Sequence, residues 1–234
     1  MSLERHILSD RKRFRFVHLL IQWHEKNRRD FPWRARHDPY IALLAEILLQ
    51  RTPANRVAKF FPNFIEKFPT SVSIASIDVD DLEEFLRPMG LKKRAKWLIK
   101  LMKEVCEKHN CEVPDREEEL TQLPGVGLYT ARAILCFGFG KDVPIVDVNV
   151  ARVLSRVFRV SGIRKRPSED EALWAFAAKI VPRGLGPRYN EALLDHAALI
   201  CKRQPKCNIC PVLALCEYYK RVIKCSLKQA VVKT

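Results

Sequence analysis

Residues 120–131 read LTQLPGVGLYTA, and this stretch predicts a helix, a tight glycine turn and a second helix. Gly125 and Gly127 allow a positive φ and a close approach of another molecule to the backbone. The amides that open the second helix lie at its positive end, where they can donate hydrogen bonds to an anion. The stretch therefore fits a phosphate-binding turn, although a plain connection between two helices uses the same residues.

The charge of the chain favours phosphate binding. The 234 residues include 42 Lys and Arg against 27 Asp and Glu, a formal net charge of +15. Such an excess attracts polyanions, so nucleic acid is the expected partner, ahead of an anionic membrane surface. The sequence has no long uncharged apolar run and its first fifteen residues are rich in charge. We therefore expect no membrane span and no secretory signal, and an intracellular, cytoplasmic protein, associated with the nucleoid if it is prokaryotic.

Helical periodicity dominates the chain and predicts an all-α fold. Near the N-terminus, apolar residues recur at helical spacing: Phe16, Leu19, Leu20 and Trp23. Asp38 and Pro39 provide an N-cap and a first-turn proline for residues 40–50, which are apolar on nearly every side and are expected to be buried. The best candidate strand, residues 143–146, contains Pro144, which strands inside a sheet do not tolerate.

Four of the eight cysteines lie close together near the C-terminus: Cys201, Cys207, Cys210 and Cys216. Without a signal peptide, a metal site is a better expectation than disulfides. Four thiolates suit Zn²⁺ or an iron–sulfur cluster, and a single C-x-x-C pair disfavours a zinc ribbon. Cys106, Cys111 and Cys136 are scattered, and Cys225 follows the group.

Asp147 precedes another amphipathic helix and occupies the position of an N-cap. A carboxylate there satisfies the first amides of the helix, which is a structural role. The helix dipole and these hydrogen bonds also favour the anion, so the same residue could act as a fixed catalytic charge.

Together these motifs resemble the helix-hairpin-helix DNA glycosylases that carry a [4Fe–4S] cluster. The resemblance covers about residues 30–219. It rests on Leu123-Pro124-Gly125-Val126-Gly127, the eighteen residues from Tyr129 to Asp147, the run Val146-Asp147-x-Asn149-Val150-x-Arg152-Val153 and the four cysteines. The first gap between the cysteines is five residues, one shorter than is usual in the family.

The resemblance implies two lobes and a set of binding residues. A six-helix barrel with the helix-hairpin-helix motif is expected over residues 31–141, and an iron–sulfur lobe over residues 1–30 and 142–225, followed by a tail at 226–234. The four cysteines would hold a [4Fe–4S] cluster. Double-stranded DNA with a mismatch would be bound by a monomer through Gln50, Arg51, Gly90, Leu123, Gly125, Val126 and Gly127. Residues 91–96, LKKRAK, resemble the family's second DNA-facing hairpin, although single lysines commonly form a solvated face.

The same resemblance assigns catalytic roles to Asp147, Tyr129 and Glu46. Asp147 would stabilise positive charge on the sugar, across a cleft from Tyr129 that receives the extruded base. Family members that cut the strand through a Schiff base hold a lysine in place of Tyr129, so this chain is expected to leave an abasic site. Tyr129 could instead be a core aromatic, and Glu46 is either a general acid or part of a structural ion pair.

Tyr129 disfavours the endonuclease III branch, and two further features favour the thymine mismatch branch over the adenine branch. Gln50-Arg51-Thr52 resembles the thymine branch's loop that fills the gap left by the extruded base, whereas the adenine branch favours two glutamines before its threonine. Only eighteen residues follow Cys216, too few for the extra domain of adenine glycosylases that recognise oxidised guanine. The expected activity is excision of thymine or uracil mispaired with guanine. Adenine excision opposite guanine or 8-oxoguanine and a non-catalytic DNA-binding protein are the alternatives.

Overall fold

The structure is a computed structural model that describes residues 10–160 and 167–223. Within these residues the regular structure is entirely helical, which confirms the all-α prediction. Residues 143–146, the best candidate strand, are not helical and pair with no other strand in the described chain. Cys225, the tail at 226–234 and the basic residues 164–166 lie outside the described residues. No helix in the described part is long and apolar enough to cross a membrane.

Eleven α-helices are present in the described chain, and short 3₁₀ turns lie in some of the connections between them. They are α1 Asp10–Asn27, α2 Pro39–Leu49, α3 Ala54–Lys67, α4 Ser71–Ala75, α5 Val79–Leu86, α6 Ala95–His109, α7 Glu117–Gln122, α8 Leu128–Ala133, α9 Val148–Phe158, α10 Glu171–Ile180 and α11 Gly186–Leu199. Helix α8 continues without a break into a π-helical turn, Ile134–Gly138. The chain divides into two compact units, one formed by residues 30–141 and the other by the described residues before and after them.

Helix α2 lies at the centre of the unit formed by residues 30–141. Asp38 caps it by accepting a hydrogen bond from the Ile41 amide at 3.0 Å, and Pro39 is its first residue, as predicted. Seven of its eleven residues are buried, because α2 packs against α3, α8 and the π-helical turn. The turn approaches so closely that a Cβ on Gly138 would lie 2.7 Å from the Pro39 Cα. Only glycine fits there.

In the other unit, α1 packs against α11 around a buried carboxylate. Phe16 and Leu20 of the predicted apolar stripe are fully buried. Asp195 on α11 is also fully buried and accepts hydrogen bonds from the Arg29 amide and Nε, at 3.0 and 2.7 Å, and from His24 Nε2 at 3.1 Å. A carboxylate without water needs such donors, so this network fixes the pairing of the two helices.

The structure joins Cys106 and Cys111 in a disulfide, which the sequence analysis did not anticipate. Helix α6 ends at His109, and the next two residues, Asn110 and Cys111, adopt left-handed backbone with φ of 53° and 63°. The Cys111 amide donates back to Val105 O at 3.2 Å. This reversal returns Cys111 to Cys106, a proximity that spacing along the sequence does not reveal.

Candidate functional site

The glycine turn of residues 123–127, called here the hairpin, connects α7 to α8 as predicted. Leu123 and Val126 are buried and anchor the turn, and the Val126 amide donates to Leu123 O at 3.1 Å. Gly125 and Gly127 are exposed. Neither of their amides donates a hydrogen bond within the described chain. The hairpin therefore has an apolar underside and presents unused backbone donors to solvent.

The two glycines of the hairpin are constrained differently. Gly125 has a φ of +73°, and a Cβ there would lie 2.2 Å from Cζ2 of Trp97 on α6. Gly127 has a φ of −88°, and its Cβ would meet no atom within 4 Å. Gly125 is thus required by the fold, whereas nothing in the described structure requires Gly127.

Residues 50–52, called here the loop, follow the end of α2 and lie next to the hairpin. Gln50 Nε2 donates to Gly125 O at 3.4 Å, so the structure brings these two predicted DNA-binding residues together. Arg51 is exposed and has a φ of +55°, in the left-handed region that non-glycine residues rarely adopt. The Thr52 amide donates to Leu49 O at 3.1 Å and closes the loop. A strained, exposed arginine is typical of a functional loop.

Arg94 of the LKKRAK stretch is directed into the protein. Its Nη1 donates to Ile47 O at 2.9 Å, and its Nη2 donates to Gln50 O. Burial, together with the neighbouring Arg51 charge, lowers the pKa of Arg94, yet a guanidinium stays charged at neutral pH. Its neighbours Lys92, Lys93 and Lys96 are exposed, and Gly90 is an exposed left-handed residue with a φ of +69°. Sequence reasoning identified this basic stretch but missed the inward orientation of Arg94.

Glu46 and Tyr129, two of the three predicted catalytic residues, lie on helices that pack together. Glu46 is on α2, flanked by buried Ala45 and Ile47, and is half-buried. Tyr129 is the second residue of α8 and is also half-buried. Helices α2 and α8 are in contact. An acid and a phenol are therefore carried by one packed pair of helices.

Asp147 is the N-cap of α9, as predicted. Its Oδ1 accepts hydrogen bonds from the amides of Asn149 and Val150 at 2.9 and 2.7 Å, and its Oδ2 accepts one from Asn149 Nδ2 at 2.8 Å. The next residue, Val148, is 63% exposed although it is apolar. The carboxylate is thus fixed in orientation at the positive end of an eleven-residue helix, which favours negative charge.

The same helix α9 binds the backbone of the cysteine segment, residues 201–216. Arg152 Nε donates to Cys201 O at 2.8 Å, and Arg156 donates to Lys202 O and to Arg203 O. Arg156 Nη1 also lies 3.5 Å from Cys201 Sγ. Helix α9 therefore connects the two features, because Asp147 caps its first turn and the arginines of its later turns bind the cysteine segment.

All four cysteines of the segment border one cavity, together with Arg156 and His196. His196 is fully buried and its Nε2 lies 3.4 Å from Cys210 Sγ. Burial lowers the pKa of His196 to about 4, so the ring is neutral at pH 7. Burial, reinforced by the neighbouring thiols, raises the pKa of Cys210 to about 12 and also raises that of Cys216. Such thiols ionise at neutral pH only if a cation binds between them.

Among the described residues no group of three or more His, Cys, Asp and Glu side chains is arranged so that it could hold a metal ion.

Comparisons with known proteins identify the family of the chain. The model of the HhH-GPD superfamily of base excision DNA repair proteins matches residues 44–179. The thymine-DNA glycosylase of Aeropyrum pernix is 37% identical over 205 residues, 86% of this chain and 92% of that protein. The chain belongs to the HhH-GPD superfamily.

Two further similarities extend over nearly the whole chain. The thymine/uracil-DNA glycosylase of Methanothermobacter thermautotrophicus is 37% identical over 220 residues, which are 93% of this chain and 98% of that superfamily member. The solved structure of a thermostable thymine-DNA glycosylase superposes with a TM-score of 0.85 at 36% identity, covering 91% of this chain and 98% of that one. The all-helical fold is therefore that of the superfamily.

The two glycines of the hairpin allow a matched test of phosphate binding. Gly127→Ala should fold as the wild type does, because a methyl group there meets no protein atom. It should lower the affinity for matched and mismatched duplexes by nearly the same factor, because the methyl group would obstruct a phosphate at the backbone. Gly125→Ala should instead lower the thermal midpoint, since its Cβ collides with Trp97. Fluorescence anisotropy and thermal unfolding measure both. A loss confined to mismatched DNA would contradict the phosphate assignment.

Proposed function

We propose that this protein is a monofunctional DNA glycosylase that excises thymine or uracil mispaired with guanine in duplex DNA. The observation that carries the proposal is the similarity to thymine and thymine/uracil-DNA glycosylases over nearly the full length of both chains. These bases arise when cytosine or 5-methylcytosine is deaminated opposite guanine, so the reaction would begin base excision repair.

The hairpin and the loop would supply binding and base extrusion. The unused amides of Gly125 and Gly127 would receive a phosphate, which positions the duplex without reading its sequence. A base must leave the stack before its glycosidic bond can be cut, at a cost of a few kcal/mol that is smallest for a mispaired base. Gln50 and Arg51, held beside the hairpin, would occupy the space that the base leaves.

Asp147 would carry the chemical step. Cleavage of the glycosidic bond develops positive charge on the sugar, and a carboxylate whose orientation is already fixed stabilises that charge without reorganisation. Three hydrogen bonds and the start of α9 fix Asp147 in this way. We assign to Glu46, half-buried on apolar α2, the protonation of the departing base.

Tyr129 would limit the reaction to hydrolysis. A strand-cutting glycosylase needs an amine that forms a Schiff base with the sugar, and a phenol cannot form one. The product would therefore be an abasic site in an unbroken strand.

Cys201, Cys207, Cys210 and Cys216 would hold a [4Fe–4S] cluster. The donor set fits, because four cysteines border one cavity and their burial demands a cation if they are to ionise. The cluster would supply folding energy to the segment, whose residues 202–206 carry no large apolar side chain. Arg156 and His196, which lie near Cys201 Sγ and Cys210 Sγ, would orient the ligands and donate hydrogen bonds to their sulfurs.

The activity is tested with duplexes that carry T·G, U·G, A·G and A·8-oxoguanine, followed by alkali cleavage. We expect excision of thymine and uracil, and Asp147→Asn should bind T·G duplex but excise at least about 100-fold more slowly, because Asn keeps a cap but loses the charge. In the same assay Glu46→Gln should lower the rate and alter its pH profile. Excision of adenine alone would support the adenine branch, and equal losses of stability and rate in Asp147→Asn would reduce that residue to a cap.

The hydrolytic limit is tested with Tyr129→Lys. The wild type should leave DNA that breaks only after alkali, and borohydride should trap no covalent complex, since no amine serves as nucleophile. Tyr129→Lys should gain borohydride trapping and some strand cleavage. Tyr129→Phe is the control and should gain neither. Trapping by the wild type would show that another lysine attacks the sugar and that the enzyme is not monofunctional.

The cluster is tested by chemical analysis of the purified protein. We expect a brown protein with about four iron and four sulfide per chain. Cys207→Ser should lower the iron content and expose residues 201–216 to protease. Cys136→Ser is the matched control, because Cys136 is a buried cysteine in the other unit, and its replacement should leave the iron content unchanged. A colourless protein with stoichiometric zinc would overturn the assignment.

A further inference from the structure

We infer that Arg94 is a positioning residue that fixes the loop against the hairpin, so that Gln50 and Arg51 enter the DNA stack at a set place. The inference rests on the proposed function and concerns how base extrusion is achieved. Arg94 belongs to a basic stretch whose exposed lysines suit DNA phosphates, but its own guanidinium is occupied within the protein.

The contacts of Arg94 lie where α2 stops. The last carbonyls of a helix have no partner within the helix and carry a partial negative charge. The Arg94 guanidinium spans this end, donating to Ile47 O inside the helix and to Gln50 O just beyond it. A planar guanidinium with several donors in fixed directions can satisfy both at once, which a lysine ammonium cannot do with the same geometry.

The backbone after this contact is strained. Arg51 holds a φ of +55°, a conformation that a side chain other than glycine disfavours. Such a residue keeps its conformation only when its surroundings impose it. The carbonyl of the preceding residue, Gln50, accepts both from Arg94 and from Thr52 Oγ1 at 3.3 Å. Arg94 is thus one of the groups that hold Arg51 in place.

The start of α6 also supports the hairpin. Trp97, in the first turn of α6, lies next to Gly125, since a Cβ on that glycine would come within 2.2 Å of the Trp97 ring, and Gly125 O accepts from Gln50 Nε2. Arg94 is the N-cap of the same helix, three positions before Trp97. The start of α6 therefore supports the loop through Arg94 and the hairpin through Trp97, which fixes the spacing between the inserted side chains and the bound phosphate.

Positioning predicts a defect that depends on the DNA substrate. Arg94→Lys and Arg94→Met should bind matched duplex as the wild type does but excise thymine from T·G duplex roughly 10- to 100-fold more slowly under single-turnover conditions, since small misplacements have effects of that size. On the same target within a bubble of unpaired bases, the rates should lie within about threefold of the wild type, because unstacking no longer requires the loop.

Two variants separate this role from its alternatives. Lys93→Met removes an exposed charge next to Arg94 and should weaken binding to every duplex and reduce its salt dependence. If Arg94→Met behaves in that way, Arg94 is a phosphate contact and the inference is wrong. Equal rate losses on duplex and bubble would indicate general structural damage and would also overturn it. Arg94→Lys keeps the positive charge, so the inference can still be tested with this variant if Arg94→Met does not fold.

A measurement without DNA keeps the inference separate from the proposed function. Hydrogen exchange of the free protein should be faster in Arg94→Met at the amides of residues 47–52, with exchange elsewhere in α2 and in α5 unchanged. Unchanged exchange at residues 47–52 would overturn the positioning role even if excision is slow. If the wild type excises no base, the proposed function is wrong. Faster exchange at residues 47–52 in Arg94→Met would then still show that Arg94 supports the loop.

Discussion

The burial of α2 is the constraint on which the unit formed by residues 30–141 depends. A helix that is apolar on nearly every side cannot turn or slide without exposing core residues, so its position is fixed by packing. Its polar ends then need specific partners. Asp38 caps the start and Arg94 satisfies the end. The loop therefore extends from a support that cannot shift, which is what the insertion of a side chain into DNA requires.

Helix α9 has an equivalent importance in the other unit. Its first turn orients the Asp147 carboxylate through three hydrogen bonds, and its later turns bind the backbone of the cysteine segment through Arg152 and Arg156. Residues 202–206 of the segment carry no large apolar side chain, so this part depends on the hydrogen bonds from these arginines. One helix thus carries both the proposed catalytic charge and the support of the proposed cluster.

Much of the local structure could be predicted. The cap at Asp38, the buried helix after it, the turn at Gly125 and the cap at Asp147 all agree with the structure, because each depends on residues within a few positions of one another. The Cys106–Cys111 disulfide was missed although it is also local, because the left-handed pair at its end carries no glycine signal.

The sequence by itself determined the helical class, the glycine turn, the capping carboxylates and the spacing of the cysteines, and from their combination the family. The tertiary structure alone decided which distant groups meet. Arg94 and Ile47 are 47 positions apart, and Gln50 and Gly125 are 75 apart. A sequence indicates that an arginine is present but not which carbonyl it reaches, because that depends on how separate helices pack. For this reason a residue of a basic stretch, expected on the DNA-facing surface, supports the loop from within.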